Sequence, residues 1–328
     1  EKAVHLAAYG YNTASSGGKD SRVIISRIRK GETAFTNVNL EFTDDFKETD
    51  GLMNYNPETG IIQLLTLTLV KSKGNTNYYL SLMSYIDPES LQIIKKTIIS
   101  YEGLNAYIKS KRIGEDVFDP LPANMILNND NTTTLLFEEI GQHAINSSST
   151  EVRFGRIGVI TLDNTGKDIE AYAIMKGQIA TGHPMEKLYL AKRGKGLWSY
   201  VTRRGATMYT PQDNRSFYSF DYINTASNST YIIYNDNTNN YSNGAAITDA
   251  NKMESIKAVS ESVATYRKIQ PSKITSGYFF GRNANDDQTA FCNVESAHFR
   301  KETGVYAALM VKRNKKEKKA YVAWVTLE

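Results

Sequence analysis

Arg156-Ile-Gly-Val-Ile-Thr-Leu-Asp-Asn-Thr-Gly-Lys-Asp-Ile-Glu-Ala-Tyr-Ala-Ile-Met175 is the stretch from which the fold can be read. Two runs rich in β-branched and aromatic residues flank Asp163-Asn164-Thr165-Gly166-Lys167, a turn whose Gly166 can take the positive φ that a hairpin loop needs. Ile157, Val159 and Thr161 alternate with Gly158, Ile160 and Leu162, so the first strand is apolar on both faces. Such a strand belongs in the middle of a sheet covered on both sides. Its partner, Ile169 to Met175, alternates less cleanly and reads as more exposed.

The same unit of strand, polar turn and strand recurs along the chain. Arg22 to Ile28 and Thr33 to Phe42 form a first hairpin. Ile61 to Val70, Asn77 to Ile86 and Leu91 to Ser100 form a meander, with Asp87-Pro88-Glu89-Ser90 as a tight turn. Asn105 to Arg112 reads as a further strand, as do Thr132 to Ile140, Ser216 to Ile223, Thr230 to Asn235, Ser255 to Ser260 and Val263 to Ile269. Met185 to Ala191 is a short helix candidate, with short strands at Trp198 to Val201 and Thr207 to Thr210. Gly277 to Arg282, Thr289 to Val294, Gly304 to Val311 and Tyr321 to Leu327 complete the pattern. Strands in repeated meanders predict an all-β chain and a β-propeller of about six blades, seven being the next choice, over one domain spanning 1–328. Ala3 to Tyr9 and Tyr321 to Leu327 are placed to close one blade between the two ends of the chain. A two-sheet β-sandwich is the rival.

Composition narrows the function classes. The 328 residues include 21 Tyr and only 7 Pro, and 41% are hydrophobic, enough for a large core. A net charge of +4 spread along the chain lacks the concentrated basic face of a nucleic-acid binder. The longest apolar run, Ile61 to Val70, falls short of the roughly 18 residues of a membrane span. A single cysteine excludes an intrachain disulfide framework but not export. The sequence starts at Glu1 with neither Met nor an apolar leader, which fits a trimmed mature form.

Strand ends resemble a known group. Val159-Ile-Thr-Leu-Asp163-x-x-Gly166-Lys167, Tyr231-Ile-Ile-Tyr-Asn-Asp-Asn237 and Gly277-Tyr-Phe-Phe-Gly-Arg282 are similar to uncharacterised exported β-propeller proteins of Bacteroidetes type, over roughly the second half of the chain. The resemblance implies a propeller and a periplasmic, cell-surface or secreted location, and it supplies no catalytic residues.

Chemistry is thinly signalled. Asn/Asp-rich loops hold Asp130, Asp236, Asp286 and Asp287, whose short oxygen-bearing side chains suit Ca²⁺, although Asn and Asp also cap their own turns. No other cofactor is expected. His5, His143, His183 and His298 lack zinc spacing. Cys292, in a strand, reads as a small buried hydrophobe rather than a nucleophile. Lys312 to Lys319 reads as a charged hairpin tip. Trp198, Tyr200, Tyr209 and Tyr218 lie in one segment with Arg203, Arg204 and Arg215, a mix of aromatic faces and guanidinium groups that suits sugar, peptide or anionic ligands. The expectation from these residues is a non-enzymatic propeller that binds a protein or glycan partner, its oligomeric state open. The alternatives are an enzyme acting on polysaccharide or peptide with carboxylates in the central funnel, and a structural module of a larger assembly.

Overall fold

A computed structural model describes the chain apart from residues 1–2, 11–21, 41–45, 72–76, 114–117, 119, 147–148, 183–216, 228, 243–244, 248–251, 271–272, 282–288 and 314–316. The strands fall into consecutive antiparallel meanders. The first is β1 (Ala3–Gly10), β2 (Arg22–Arg29) and β3 (Thr36–Leu40). The second is β4 (Phe46–Asn56), β5 (Ile61–Lys71), β6 (Asn77–Ile86) and β7 (Ile93–Ile98). Helix α1 (Glu102–Lys111) leads to the third: β8 (Leu121–Leu127), β9 (Thr133–Asn146), β10 (Ser149–Leu162) and β11 (Asp168–Ile174), with β12 (Gln178–Gly182) returning to pair with the start of β10. The fourth is β13 (Asp221–Asn224) and β14 (Thr230–Asn237), a small ribbon of β15 (Tyr241–Ser242) and β16 (Ala245–Ala246), then β17 (Ser262–Gln270) and β18 (Lys273–Tyr278). The fifth is β19 (Thr289–Arg300), β20 (Val305–Arg313) and β21 (Lys318–Thr326).

Period-two alternation decides how these sheets stack. Neighbouring residues on one strand enter different cores, because successive side chains leave opposite faces. Leu64 packs with Val23 and Ile25 of the first sheet, whereas Leu65 packs with Leu135 and Phe137 of the third. Within the opening stretch, Ile157 and Val159 join Ile232 and Tyr234 of the fourth sheet, and Ile160 and Leu162 join the core shared with the second. Ile233 and Ala264 then meet Cys292 and Tyr306 of the fifth. Three successive sheets are thus covered on both faces by the sheet before and the sheet after. A two-layer sandwich cannot do this, and the stacked meanders are the blades of a β-propeller.

The described residues form five blades, and the segment read as further strands, 198–210, lies outside them together with 185–191. One detail of the expected propeller is corrected: the terminal strands do not close a common blade, since β1 pairs with β2 and β21 with β20, each as an edge of its own meander. The outer faces of these two blades carry exposed Val4, Leu6, Val322 and Trp324.

Asn105 to Arg112, read as strand, lies in α1. Leu104 and Ile108, four apart, are its buried face, Glu102 sits in its first turn and Lys109 and Lys111 in its last, and Arg112 ends it with φ 55°. Ser255 to Ser260 is likewise not a strand; a 3₁₀ turn at Val259–Glu261 precedes β17. Helix α1 lies against β10 and β11, and the fit leaves no room at Gly158. A β-carbon there would meet the Phe118 ring at 2.5 Å and Leu104 at 3.0 Å, inside a fully buried layer. Gly158→Ala is expected to lower stability by about 1–3 kcal/mol, read as a shift in the urea midpoint at unchanged slope.

Candidate functional site

Where the third, fourth and fifth blades meet, the chain buries a set of charged and polar side chains. Glu138, on β9, is fully buried. Its Oε1 accepts from Lys176 Nζ at 2.5 Å, and its Oε2 accepts from Ser219 Oγ at 2.6 Å. Lys176 also donates to Gln178 Oε1 at 3.2 Å. Gln178 accepts from Ser219 N at 2.7 Å and donates to the carbonyl of Asn235 at 2.7 Å. Asn235 carries the network onward, donating to Cys292 O and Phe217 O at 2.7 Å each and accepting from Cys292 N at 2.9 Å. Ser219 holds φ 68°, a conformation that costs a non-glycine residue energy and persists where its surroundings over-determine it. Here its amide, carbonyl and hydroxyl are all engaged.

Electrostatics in this junction are set by burial. Removal from water pushes the Glu138 carboxyl up and the Lys176 ammonium down, and the attraction between the two opposes both shifts. Asp236, at the end of β14, is also buried. Its Oδ1 accepts from Asn240 Nδ2 and Asn237 N, both at 2.8 Å, while Oδ2 has no hydrogen-bond partner among the described residues. Loss of solvation raises its pKa to about 6, and the hydrogen bonds from Asn240 and Asn237, with the nearby positive charges of Arg267 and Lys176, only partly offset this. A third buried carboxylate, Asp221, accepts from Tyr306 Oη at 3.0 Å. Burial pushes the Cys292 thiol far up and the charge of Asp221 adds to the shift, so Cys292 is the inert core residue expected from its strand.

An aromatic layer covers the acid cluster. Lys176 Nζ lies 5.6 Å from the centroid of Phe154, and Phe154 stacks on Tyr218 with centroids 5.8 Å apart. Beyond Tyr218 is a cavity of about 380 Å³, lined by Phe217, Tyr218, Phe291 and Ser260, with Lys257 and Lys318 on its walls. Phe217 and Phe291 meet edge-on at 5.5 Å.

Of the residues expected to bind a ligand, Tyr218 alone can be placed, as part of this layer. Trp198, Tyr200, Arg203, Arg204, Tyr209 and Arg215 lie outside the described residues. Of the expected metal ligands, Asp286 and Asp287 also lie outside them. Asp130 sits in an exposed turn, bonded to Thr132, and Asp236 is buried in the junction, so these two belong to different environments. Among the described residues no three His, Cys, Asp or Glu side chains gather as a metal ion would require. Glu138, Lys176 and Gln178 were not singled out from sequence. Apart from the Lys176–Gln178 bond, the contacts cited span 38 to 81 residues, and no local spacing announces them.

No family model and no curated protein matches the chain. Similar solved structures include a thermostable family-43 glycoside hydrolase, at 7% identity and TM-score 0.30, covering 99% of this chain and 86% of that one. A B. subtilis levansucrase variant is 10% identical with TM-score 0.35, covering 97% and 81%. The β-propeller domain of a trilobed protease from Pyrococcus furiosus, described as having an open velcro topology, is 7% identical with TM-score 0.19, covering 99% and 90%. The expectation of a non-enzymatic binding propeller is corrected here. The structures to which this chain is similar include a glycoside hydrolase and a levansucrase, which runs against that expectation.

Proposed function

We propose that the chain is an enzyme acting on polysaccharide, with Asp236 as general acid and Glu138 as its second carboxylate. The observation that carries this reading is the unsatisfied Oδ2 of a buried Asp236 whose pKa is about 6. A buried carboxyl oxygen without a partner calls for a reason, and a carboxyl that keeps its proton up to about pH 6 is the kind of acid that glycosidic-bond cleavage requires. That chemistry needs two carboxyl groups in unlike environments and no thiol or hydroxyl nucleophile. Glu138 provides the second environment, its charge balanced by Lys176 at 2.5 Å. The cavity floored by Phe217, Tyr218 and Phe291 suits the apolar face of a sugar ring. An envelope or secreted location, implied by the family resemblance, would put such an enzyme where polysaccharides are.

The test is reducing-end release from a panel of neutral and acidic polysaccharides by the unaltered chain and by Asp236→Asn. Asparagine keeps the shape and cannot deliver the proton, so release is expected to fall roughly 10²- to 10⁴-fold. In the unaltered chain, release should decline as pH rises through about 6, where Asp236 loses its proton. Full activity in the folded variant, or no release from any polysaccharide, would overturn the assignment.

A further inference from the structure

A second groove runs along β11, and one of its lining residues, Arg267, also acts on Asp236 of the acid cluster. The strand β11 pairs with β10 along one edge. Its consecutive residues Glu170 to Met175 line a groove of about 790 Å³, as the edge of a strand does and a single face cannot. One wall is α1, which presents Lys111, and the other is β17 and β18, which present Arg267, Lys273 and Ile274. The outer strand of a blade ordinarily shows its unpaired amides and carbonyls to open water. Here that edge is the floor of a walled slot.

Charge selects the occupant. Three cations, Lys111, Arg267 and Lys273, line the groove against one acid, Glu170. Arg267 stands 5.6 Å from the Tyr241 ring and makes no ion pair with a carboxylate among the described residues. Ile274, 40% exposed, adds an apolar surface at the rim. An extended chain laid on β11 would meet its backbone partners on the floor, basic groups on both walls and an aliphatic contact at the edge.

We propose that this groove binds an extended acidic peptide segment, which adds to the third blade as a further strand beside β11. The site is independent of the polysaccharide reading. The floor distinguishes a peptide from an anionic sugar, because strand addition draws on alternate backbone amides of the ligand, which a sugar lacks.

The experiment is fluorescence anisotropy with the full chain and a fluorescein-labelled hexapeptide alternating glutamate and valine. Binding is expected. It should weaken roughly tenfold in the double variant K111E/K273E, which reverses two exposed lysines of the groove and whose fold is checked by circular dichroism. A peptide of the same sequence with alternate backbone nitrogens methylated keeps its charge and should not bind. Equal binding of the methylated peptide would overturn strand addition. Failure of the unmodified peptide to bind, or its displacement by tetragalacturonate at equal concentration, would overturn the peptide site and, in the second case, assign the groove to an anionic glycan.

Discussion

Lys176→Met is expected to destabilise the protein by about 3–5 kcal/mol, because it leaves the fully buried Glu138 carboxylate without its counter-charge. The remaining bond from Ser219 Oγ satisfies one oxygen only. The penalty comes from the orphaned charge rather than from the worth of the pair, and the double variant exposes the difference. In E138Q/K176M neither member of the pair carries a charge, glutamine still accepts from Ser219, and methionine fills the space of the lysine stem. Its stability should return to within about 1–2 kcal/mol of the parent chain. Urea denaturation of the four members of this cycle gives the coupling directly. If K176M alone costs less than about 1 kcal/mol, the pair is not sealed from water as described.

Asp236→Asn is expected to stabilise the protein at neutral pH and to leave it unchanged in acid. Folding raises the Asp236 pKa from 3.8 to about 6 by burial. Between these values the native state holds a proton that the unfolded chain has released, so stability falls as pH rises through that window. Below pH 3.8 both states are protonated and nothing is lost. Above pH 6 the loss is complete and amounts to about 3 kcal/mol, from roughly two pK units at 1.36 kcal/mol each. Asparagine removes the ionisation, so the gain in D236N should be absent at pH 3.5 and full at pH 7.5, measured by thermal or urea unfolding across the range. A variant that gains stability while losing turnover is the expected signature of a residue kept for chemistry at the expense of the fold. A gain of the same size at every pH would instead point to a packing effect.

The sequence shows the strands far better than it shows the site, and particular residues explain why. Ile157 to Leu162 announced a doubly covered strand because alternation is local: each neighbour faces the other way, and the structure puts Val159 and Ile160 in different cores. Asn105 to Arg112 reads as a strand in the sequence. Burial of Leu104 and Ile108 against the third blade overrode that reading. The short runs between 185 and 210 lie outside the described residues, so the five blades that are described do not include them. The junction was illegible for another reason. Glu138 lies in an ordinary strand and Lys176 at the end of another, and only the docking of the third blade on the fourth joins them to Ser219 and Asn235. Asp236 did stand out, but as one of a run of turn-forming Asn and Asp. Its significance lies in burial, which residue type alone does not reveal.

The most direct test of the account is the titration of Asp236 itself. Carbon-13 NMR of aspartate-labelled protein, with D236N identifying the resonance, reads the carboxyl pKa without reference to substrate. A value near 6 is predicted, set by loss of solvation at the junction of the third and fourth blades. A value at or below 3.8 would show a solvated, ordinary carboxylate and would contradict both the buried acid and the role proposed for it.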